Sequence, residues 1–147
     1  MGRGRLILNT TASGRSHVFV LATSDCYYEA MVAASIEERF SFITEYWRPR
    51  VVAELNGQEA KLVKFQGEFP WHHQDEMFLV WHGEMRVEFR DCVVSLRSGE
   101  YCVVPRGLEH RTCADEEAAV ILFEPAATRN TGNVVDERFT APDGNPL

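Results

Sequence analysis

The chain has 147 residues, of which 45% are hydrophobic and 25% charged, as in an ordinary single-domain globular protein. Its formal net charge of −7 argues against a nucleic-acid partner, because nucleic-acid binding normally needs a basic surface. No apolar run approaches the roughly 20 residues that span a bilayer, so we expect no membrane partner. The four cysteines contain no Cys-x-x-Cys pair, and we expect free thiols in a cytoplasmic protein.

Residues 1–30 differ from the rest of the chain. Up to Ser24 they contain three arginines and one histidine but no acidic residue. Their only apolar run, 18–22, is too short for a convincing signal-peptide core, and an organellar transit peptide is the weaker alternative. We therefore expect a disordered extension outside the fold over residues 1–30, one domain over 31–132, and a loosely attached tail over 133–147.

A single short helix is predicted after this extension. Ser35-Ile-Glu-Glu38 is a capping box, in which a serine hydroxyl and a glutamate side chain satisfy free amides at a helix start. Ile36, Phe40, Ile43 and Trp47 follow at helical spacing and predict one apolar face. Pro49 ends the pattern, because the residue before a proline is displaced from the helical region.

From Val51 onward the hydrophobic period becomes two, which predicts strands. The pair Asn56-Gly57 indicates a tight hairpin, since both turn positions need a positive φ. The acidic residues 115–117 indicate a turn between the last two strands. Short strands at regular spacing favour an antiparallel sandwich or barrel. The predicted strands cover residues 51–55, 60–65, 76–82, 85–89, 93–96, 101–104, 109–113 and 118–124.

Two segments resemble the motifs of the cupin superfamily. Gly99-x5-Pro105-x-Gly107-x2-His110 matches the second family motif up to its histidine, although Ala114 replaces the asparagine that follows. Glu76-x6-Gly83 fits the second half of the first motif. Residues 69–78 and 124–132 are similar to small cupins of the mannose-6-phosphate-isomerase-like type. The resemblance covers roughly residues 36–132 and implies an all-β double-stranded β-helix, or jelly roll, with one short N-terminal helix.

The resemblance also implies a metal site. If the segment before Glu76 is extended, His72 and Glu76 share a face, and His110 can join them from a neighbouring strand. We predict that His72, Glu76 and His110 bind a metal, with His73 as a fourth ligand. The first motif is shortened, because Pro70 stands where the family has its first histidine. Two imidazoles and a carboxylate with open positions suit a divalent transition metal such as Fe, Mn, Ni or Zn.

The function implied by the resemblance is that of a metal-dependent enzyme, an isomerase or an oxidoreductase of the dioxygenase type. Its ligand would be a small polar or sugar-like molecule. The alternative is a non-catalytic cupin module that binds a metabolite or a metal through a degenerate site. The sequence singles out no general base, so it predicts no catalytic residue. Exposed strand edges favour a homodimer.

Overall fold

The structure is a computed structural model and describes residues 7–10, 16–19, 33–126 and 128. The chain divides into two compact units, Met1–Ala34 and Ser35–Leu147. In the first unit, strand β1 (Ile7–Thr10) pairs antiparallel with strand β2 (Ser16–Phe19). The separation of residues 1–30 from the main domain stays a prediction. The predicted tail at 133–147 lies outside the described residues.

The second unit begins with helix α1 (Ile36–Ser41), and the Oγ of Ser35 accepts a hydrogen bond from the Glu38 amide at 3.2 Å. The serine half of the capping prediction is therefore confirmed, but the predicted length is wrong. Trp47 has a φ of 61°, and its backbone amide donates to the carbonyl of Lys64 at 2.9 Å. Docking onto a strand thus places Trp47 in the core without a helical continuation.

Seven strands follow the helix, and every pairing between them is antiparallel. Their order is β3-β4-β9-β5-β8, with β6 pairing to β7 and β9. The predicted all-β fold with one short helix is confirmed. The strands are β3 (Arg50–Leu55), β4 (Gln58–Glu68), β5 (Glu76–His82), β6 (Glu84–Phe89), β7 (Val93–Arg97), β8 (Tyr101–Val104) and β9 (His110–Pro125).

The predicted hairpin between β3 and β4 is confirmed. Asn56 and Gly57 have φ values of 54° and 71°, and Leu55 pairs with Gln58 across the turn. A two-residue turn with positive φ at both positions matches the twist of antiparallel strands. Local turn chemistry therefore sets the register of this pair.

Strand β9 replaces the two strands predicted on either side of the acidic residues 115–117, so that prediction is wrong. The strand pairs with β6 over its first half and with β5 over its second half. Its register against β4 shifts between the pairs Phe65–Ala118 and Gly67–Ala114. Residues 115–117 bulge outward there and are exposed, which lets one strand cross between two parts of the barrel.

The core has two parts. The barrel interior contains side chains such as Val63, Phe78, Val87 and Leu122, which alternate along their strands with outward-facing residues. On the outer face, helix α1 packs against strands β4 and β9 through a smaller cluster of Phe40, Ile43, Leu62, Ala119 and Ile121. In the described part of the chain, no helix has the length and apolar character needed to cross a membrane.

Candidate metal centre

Glu76 begins strand β5 and points into the barrel. It alternates with Phe78 and Val80, and all three side chains are buried, whereas Met77 and Leu79 between them are partly exposed. Glu76 is paired with Val104 of β8 in the strand register. Its carboxylate is therefore held at a defined position inside an apolar barrel.

His110 begins strand β9 and is fully buried. It pairs with Phe89 of β6, and the preceding turn contains Gly107 with a φ of 85°. The amide of Leu108 donates to the carbonyl of Pro105 at 3.3 Å, which closes this turn. The glycine and proline of the second motif thus direct the chain from β8 into β9 and place the imidazole inside the barrel.

His72 does not lie on a regular strand. It forms an isolated antiparallel bridge with His110, in which each backbone amide donates to the carbonyl of the other residue at 2.9 Å. Residues paired directly across antiparallel chains project their side chains to the same face. The two imidazole rings consequently lie side by side, with ring centroids 4.2 Å apart.

The three side chains converge on one point. Oε2 of Glu76 lies 3.2 Å from Nε2 of His72 and 3.3 Å from Nε2 of His110. One potential ligand atom from each residue lies within 4.8 Å of the other two. The structure therefore brings together three of the four predicted ligands.

The hydrogen bonds of the two imidazoles indicate what this group can bind. Nδ1 of His72 lies 2.9 Å from the carbonyl of Pro70, and Nδ1 of His110 lies 2.9 Å from the carbonyl of Leu108. A carbonyl only accepts, so each Nδ1 carries a proton and each Nε2 faces the Glu76 carboxylate. Whenever a ring is neutral, its Nε2 and the carboxylate oxygen are both acceptors, and they require a proton or a cation between them. Metal-ligating histidines typically donate their other N–H in this way, so the residues fit a metal ion.

The pKa values of the group agree with close contact. Burial raises the pKa of Glu76, but hydrogen bonds from His110 and His72 outweigh burial and hold this pKa below its usual range. Burial lowers the pKa of His72, but the Glu76 carboxylate outweighs that effect and holds it above its usual range. Glu76 is therefore ionised at neutral pH, and an entering cation would compete with a proton on His72.

His73, the fourth predicted ligand, does not join this group. Its side chain is exposed, and its carbonyl accepts a hydrogen bond from the Gly107 amide at 3.0 Å. Consecutive residues in extended backbone point to opposite faces, so the bridge that turns His72 inward turns His73 outward. The main chain of His73 instead supports the turn before His110.

A small apolar cavity adjoins the candidate ligands. His72 and Glu76 form one side, and Trp47, Phe65, Phe69, Phe78 and Leu122 contribute most of the apolar wall. Its volume is about 20 Å³, which is room for roughly one water molecule. Open coordination positions of a bound ion would therefore face an apolar surface.

Sequence reasoning missed a second buried carboxylate, that of Glu124 near the end of β9. Glu124 is 1% exposed and shares the barrel-facing side of β9 with Val120 and Leu122. Met77 pairs with Phe123, and continuing this register by one residue places Glu124 across from Glu76. Alternate residues of a strand face the same side, and Glu124 is an even number of positions from Val120 and Leu122 in the apolar run 118–124. This alternation was the sequence signal that could have revealed it.

Lys61 accompanies Glu124. Its Nζ lies 2.7 Å from Oε1 of Glu124 and 2.9 Å from Oε2 of Glu59, and its side chain is 7% exposed. Despite this ion pair, neither oxygen of Glu124 accepts a hydrogen bond of good geometry. Burial and then the charge of Glu76 raise the pKa of Glu124 to about 7, against the opposing effect of Lys61.

Two carboxylates, those of Glu76 and Glu124, are buried inside the barrel. Glu124 contacts the ammonium of Lys61, whereas Glu76 contacts the imidazoles of His72 and His110. A cation held by Glu76 and the two imidazoles would compensate the buried charge of Glu76, because buried charge is costly unless it is compensated.

An antiparallel β-barrel with two imidazoles and a carboxylate converging inside it defines the class of this protein, a jelly roll with a candidate metal centre. Residues 62–124 match the family described as the Cupin domain. A cupin-2 domain containing protein from Shewanella frigidimarina is 41% identical, with a TM-score of 0.61 over 63% of this chain and 93% of that chain. The protein NMB1881 from Neisseria meningitidis is 29% identical, with a TM-score of 0.59 over 64% of this chain and 99% of that one. The chain belongs to the cupin superfamily.

A curated relative, the uncharacterized protein YdbB of Bacillus subtilis, is 35% identical over 65 residues. The match covers 42% of this chain and 58% of the relative. The chain therefore spans less than two thirds of the length of this relative.

Proposed function

We propose that this cupin is a metal-dependent enzyme that holds a divalent transition metal through His72, Glu76 and His110. The observation that carries the proposal is the convergence of one potential ligand atom from each of the three residues. Both imidazoles already donate their Nδ1–H to backbone carbonyls, so that each Nε2 faces the site. Two nitrogen donors and one carboxylate oxygen suit Fe, Mn, Ni or Zn. The buried, ionised carboxylate of Glu76 supports a cation at this position.

When bound, such an ion supplies Lewis acidity that polarises a carbonyl or activates water or dioxygen. Isomerase or dioxygenase chemistry remains part of the proposal through the motif resemblance. The mannose-6-phosphate-isomerase-like type rests on that resemblance alone and is not favoured by the cavity wall. The three ligand residues hold the ion, and the residues around them limit the access of bulk water to it. The aromatic wall formed by Phe65, Phe69 and Phe78 serves the last role.

The cavity wall favours a small and mostly apolar ligand over a sugar. A sugar would bury several hydroxyls against aromatic rings without hydrogen-bond partners, and each unsatisfied group costs about 1–3 kcal/mol. Apart from the candidate ligands, Thr112 is the polar side chain that lines this cavity in the described structure. With room for roughly one water molecule, the cavity admits only a very small ligand, whose polar group we place at the metal.

Glu124 supports catalysis over simple binding. It is a buried carboxylate, it lies on the interior face, and Lys61 is its ionic partner at 2.7 Å. A carboxyl group in such surroundings can hold or accept a proton near neutral pH, as a general acid or base requires. We propose this role for Glu124.

A non-catalytic binding module is the second candidate, and the small cavity favours it. A volume of about 20 Å³ admits roughly one water molecule, which suits a bound ion with a very small ligand. We also propose a cytoplasmic homodimer. It is supported by the free cysteines Cys92, Cys102 and Cys113 and by the exposed apolar side chains Tyr101, Val103 and Phe123 on the outer face.

The test is the metal content of protein purified without an affinity tag or added metal. We expect stoichiometric transition metal in the native protein, and its loss in Glu76→Gln and His110→Ala variants that retain a folded circular dichroism spectrum. The matched control is His73→Ala, which removes an exposed imidazole next to His72 and should keep the metal. Native protein that binds no transition metal even on addition would refute the proposal.

A further inference from the structure

His72 reaches the candidate metal centre from a segment that lacks a regular strand. Its bridge to His110 consists of two backbone hydrogen bonds, and the amide of Phe69 donates a further one to Thr112 at 2.9 Å. The shortened first motif therefore provides less strand pairing for this ligand than Glu76 and His110 receive. The hydrogen bond from the Gly107 amide to the carbonyl of His73 anchors the following residue, and a side-chain contact of the preceding residue adds to it.

Trp71 makes that contact. The guanidinium carbon of Arg90 lies 3.8 Å from the centre of the Trp71 ring, and that of Arg111 lies 5.2 Å from it. Arg90 directly follows β6, and Arg111 follows His110 on β9. A single ring thus joins the His72 segment to the two strands that surround His110.

Both arginines are themselves held in place. The guanidinium of Arg90 donates two hydrogen bonds to the carboxylate of Glu109, at 2.6 and 3.0 Å. Arg111 donates to Glu88 at 2.8 Å and to Glu68 at 2.6 Å. Fork-shaped pairing of this kind fixes the plane of a guanidinium group, so this group loses little further conformational freedom when the indole packs on it.

We propose that Trp71, which contacts Arg90 and Arg111, is a positioning residue for the metal ligand His72. This inference rests on the proposed metal-dependent function, which it deepens by explaining how a shortened motif keeps its histidine. Trp71 touches neither the candidate ligand atoms nor the cavity wall. It acts through the main chain that it shares with His72.

The first test compares the affinity for Co²⁺ of four variants with that of the native protein. Because Trp71→Ala removes both cation–π contacts, it should raise the Kd about tenfold. Trp71→Phe keeps an aromatic face and should stay within about threefold of the native value. Arg90→Met should give an intermediate loss. The matched control, Trp81→Ala, removes an indole whose N–H bonds to Glu37 and should leave the Kd unchanged.

The second test reads the position of His72 without a metal. Long-range ¹H–¹⁵N spectra of the metal-free protein should show the Nδ1–H tautomer for both His72 and His110. In Trp71→Ala, His72 should lose this single tautomer while His110 keeps it. This readout separates the two proposals, because it works even if the native protein binds no metal.

The results for Trp71→Ala and its controls either support or overturn the positioning role of Trp71. Loss of the His72 tautomer in Trp71→Ala, reversed in Trp71→Phe, supports the inference whatever the metal result. Unchanged tautomers together with an unchanged Co²⁺ affinity would overturn it. An equal loss of affinity in Trp71→Ala and Trp81→Ala would overturn it as well, because a general loss of stability would then explain both.

Discussion

Glu124→Gln tests the assignment of a buried, partly protonated carboxyl group inside the barrel. The amide of glutamine is neutral and almost the same shape, so the substitution removes the ionisation and little else. Glu124 is 1% exposed, and among the residues that the structure describes its ionic partner is Lys61, at 2.7 Å. The wild-type protein should therefore lose stability with rising pH in a way that the variant does not.

The magnitude follows from the pKa of Glu124, which rises from its ordinary value of 4.5 to about 7 on folding. One pH unit is worth about 1.4 kcal/mol, so the difference amounts to about 3 kcal/mol. Because the pKa in the folded protein is the higher one, the contribution to stability is fully present below pH 4.5. It is lost progressively as the pH rises toward 7.

The assay is equilibrium unfolding in urea, with a chelator present to remove metal, at several pH values between 4.5 and 7.5. The free energy of unfolding of the wild type, minus that of Glu124→Gln, should fall by about 3 kcal/mol across this range. Lys61→Met should extend the fall to higher pH, because the ammonium of Lys61 opposes the rise in the Glu124 pKa. A difference that stays constant with pH would refute the reasoning that Glu124 is buried with insufficient compensation.

Two further predictions concern the metal centre and the barrel. Co²⁺ affinity should fall as the pH drops from 8 to 6, because the raised pKa of His72 makes a proton compete with the metal. The fall should be up to about tenfold per pH unit for each displaced proton. A Kd that does not change with pH in a titration series would contradict this. Gly83→Ala should cost about 2–4 kcal/mol in urea unfolding, and Gly99→Ala about 1 kcal/mol. Both glycines have a φ near 85°, but a Cβ at Gly83 would lie 2.7 Å from the carbonyl oxygen of Glu117, whereas Gly99 has open space. An equal loss of stability in the two variants would show that the bulge of β9 shifts to make room for the new Cβ.

The second motif was predictable from sequence because its structure is local. Gly99, Pro105 and Gly107 set backbone angles within a few residues of His110, so the turn and the first residue of β9 follow from neighbours in the chain. The hairpin at Asn56-Gly57 is predictable for the same reason. Each of these features depends on residues less than 12 positions apart.

The placement of His72 was only partly predictable, since it depends on a partner that is distant in sequence. His72 and Glu76 do meet, but not along one extended segment: His72 bridges to His110, Glu76 pairs with Val104, and residues 73–75 between them lie on no strand. The bridge to His110 and the stacking of Trp71 on two arginines are tertiary contacts that periodicity does not reveal. The same holds for Trp47, whose helical spacing was coincidental because Lys64 determines its position.

Strand β9 was divided in the prediction because three consecutive acidic residues are typical of a turn. In the structure they leave the strand as a bulge, and Arg86 binds Asp115 at 2.6 Å on the outside. An extra loop in one strand costs little when its partner strand pairs on both sides of it. Sequence pattern alone does not distinguish this arrangement from a hairpin.

The continuity of β9 also determines when the centre can form. His110 and Glu124 lie on this one strand, whose partners β4, β5 and β6 all precede it in the chain. During synthesis those three strands emerge from the ribosome first and wait with unpaired edges until β9 follows. A one-residue slip in the register of β9 would turn His110, Thr112 and Glu124 outward together. Correct pairing of this one strand is therefore required for a complete centre.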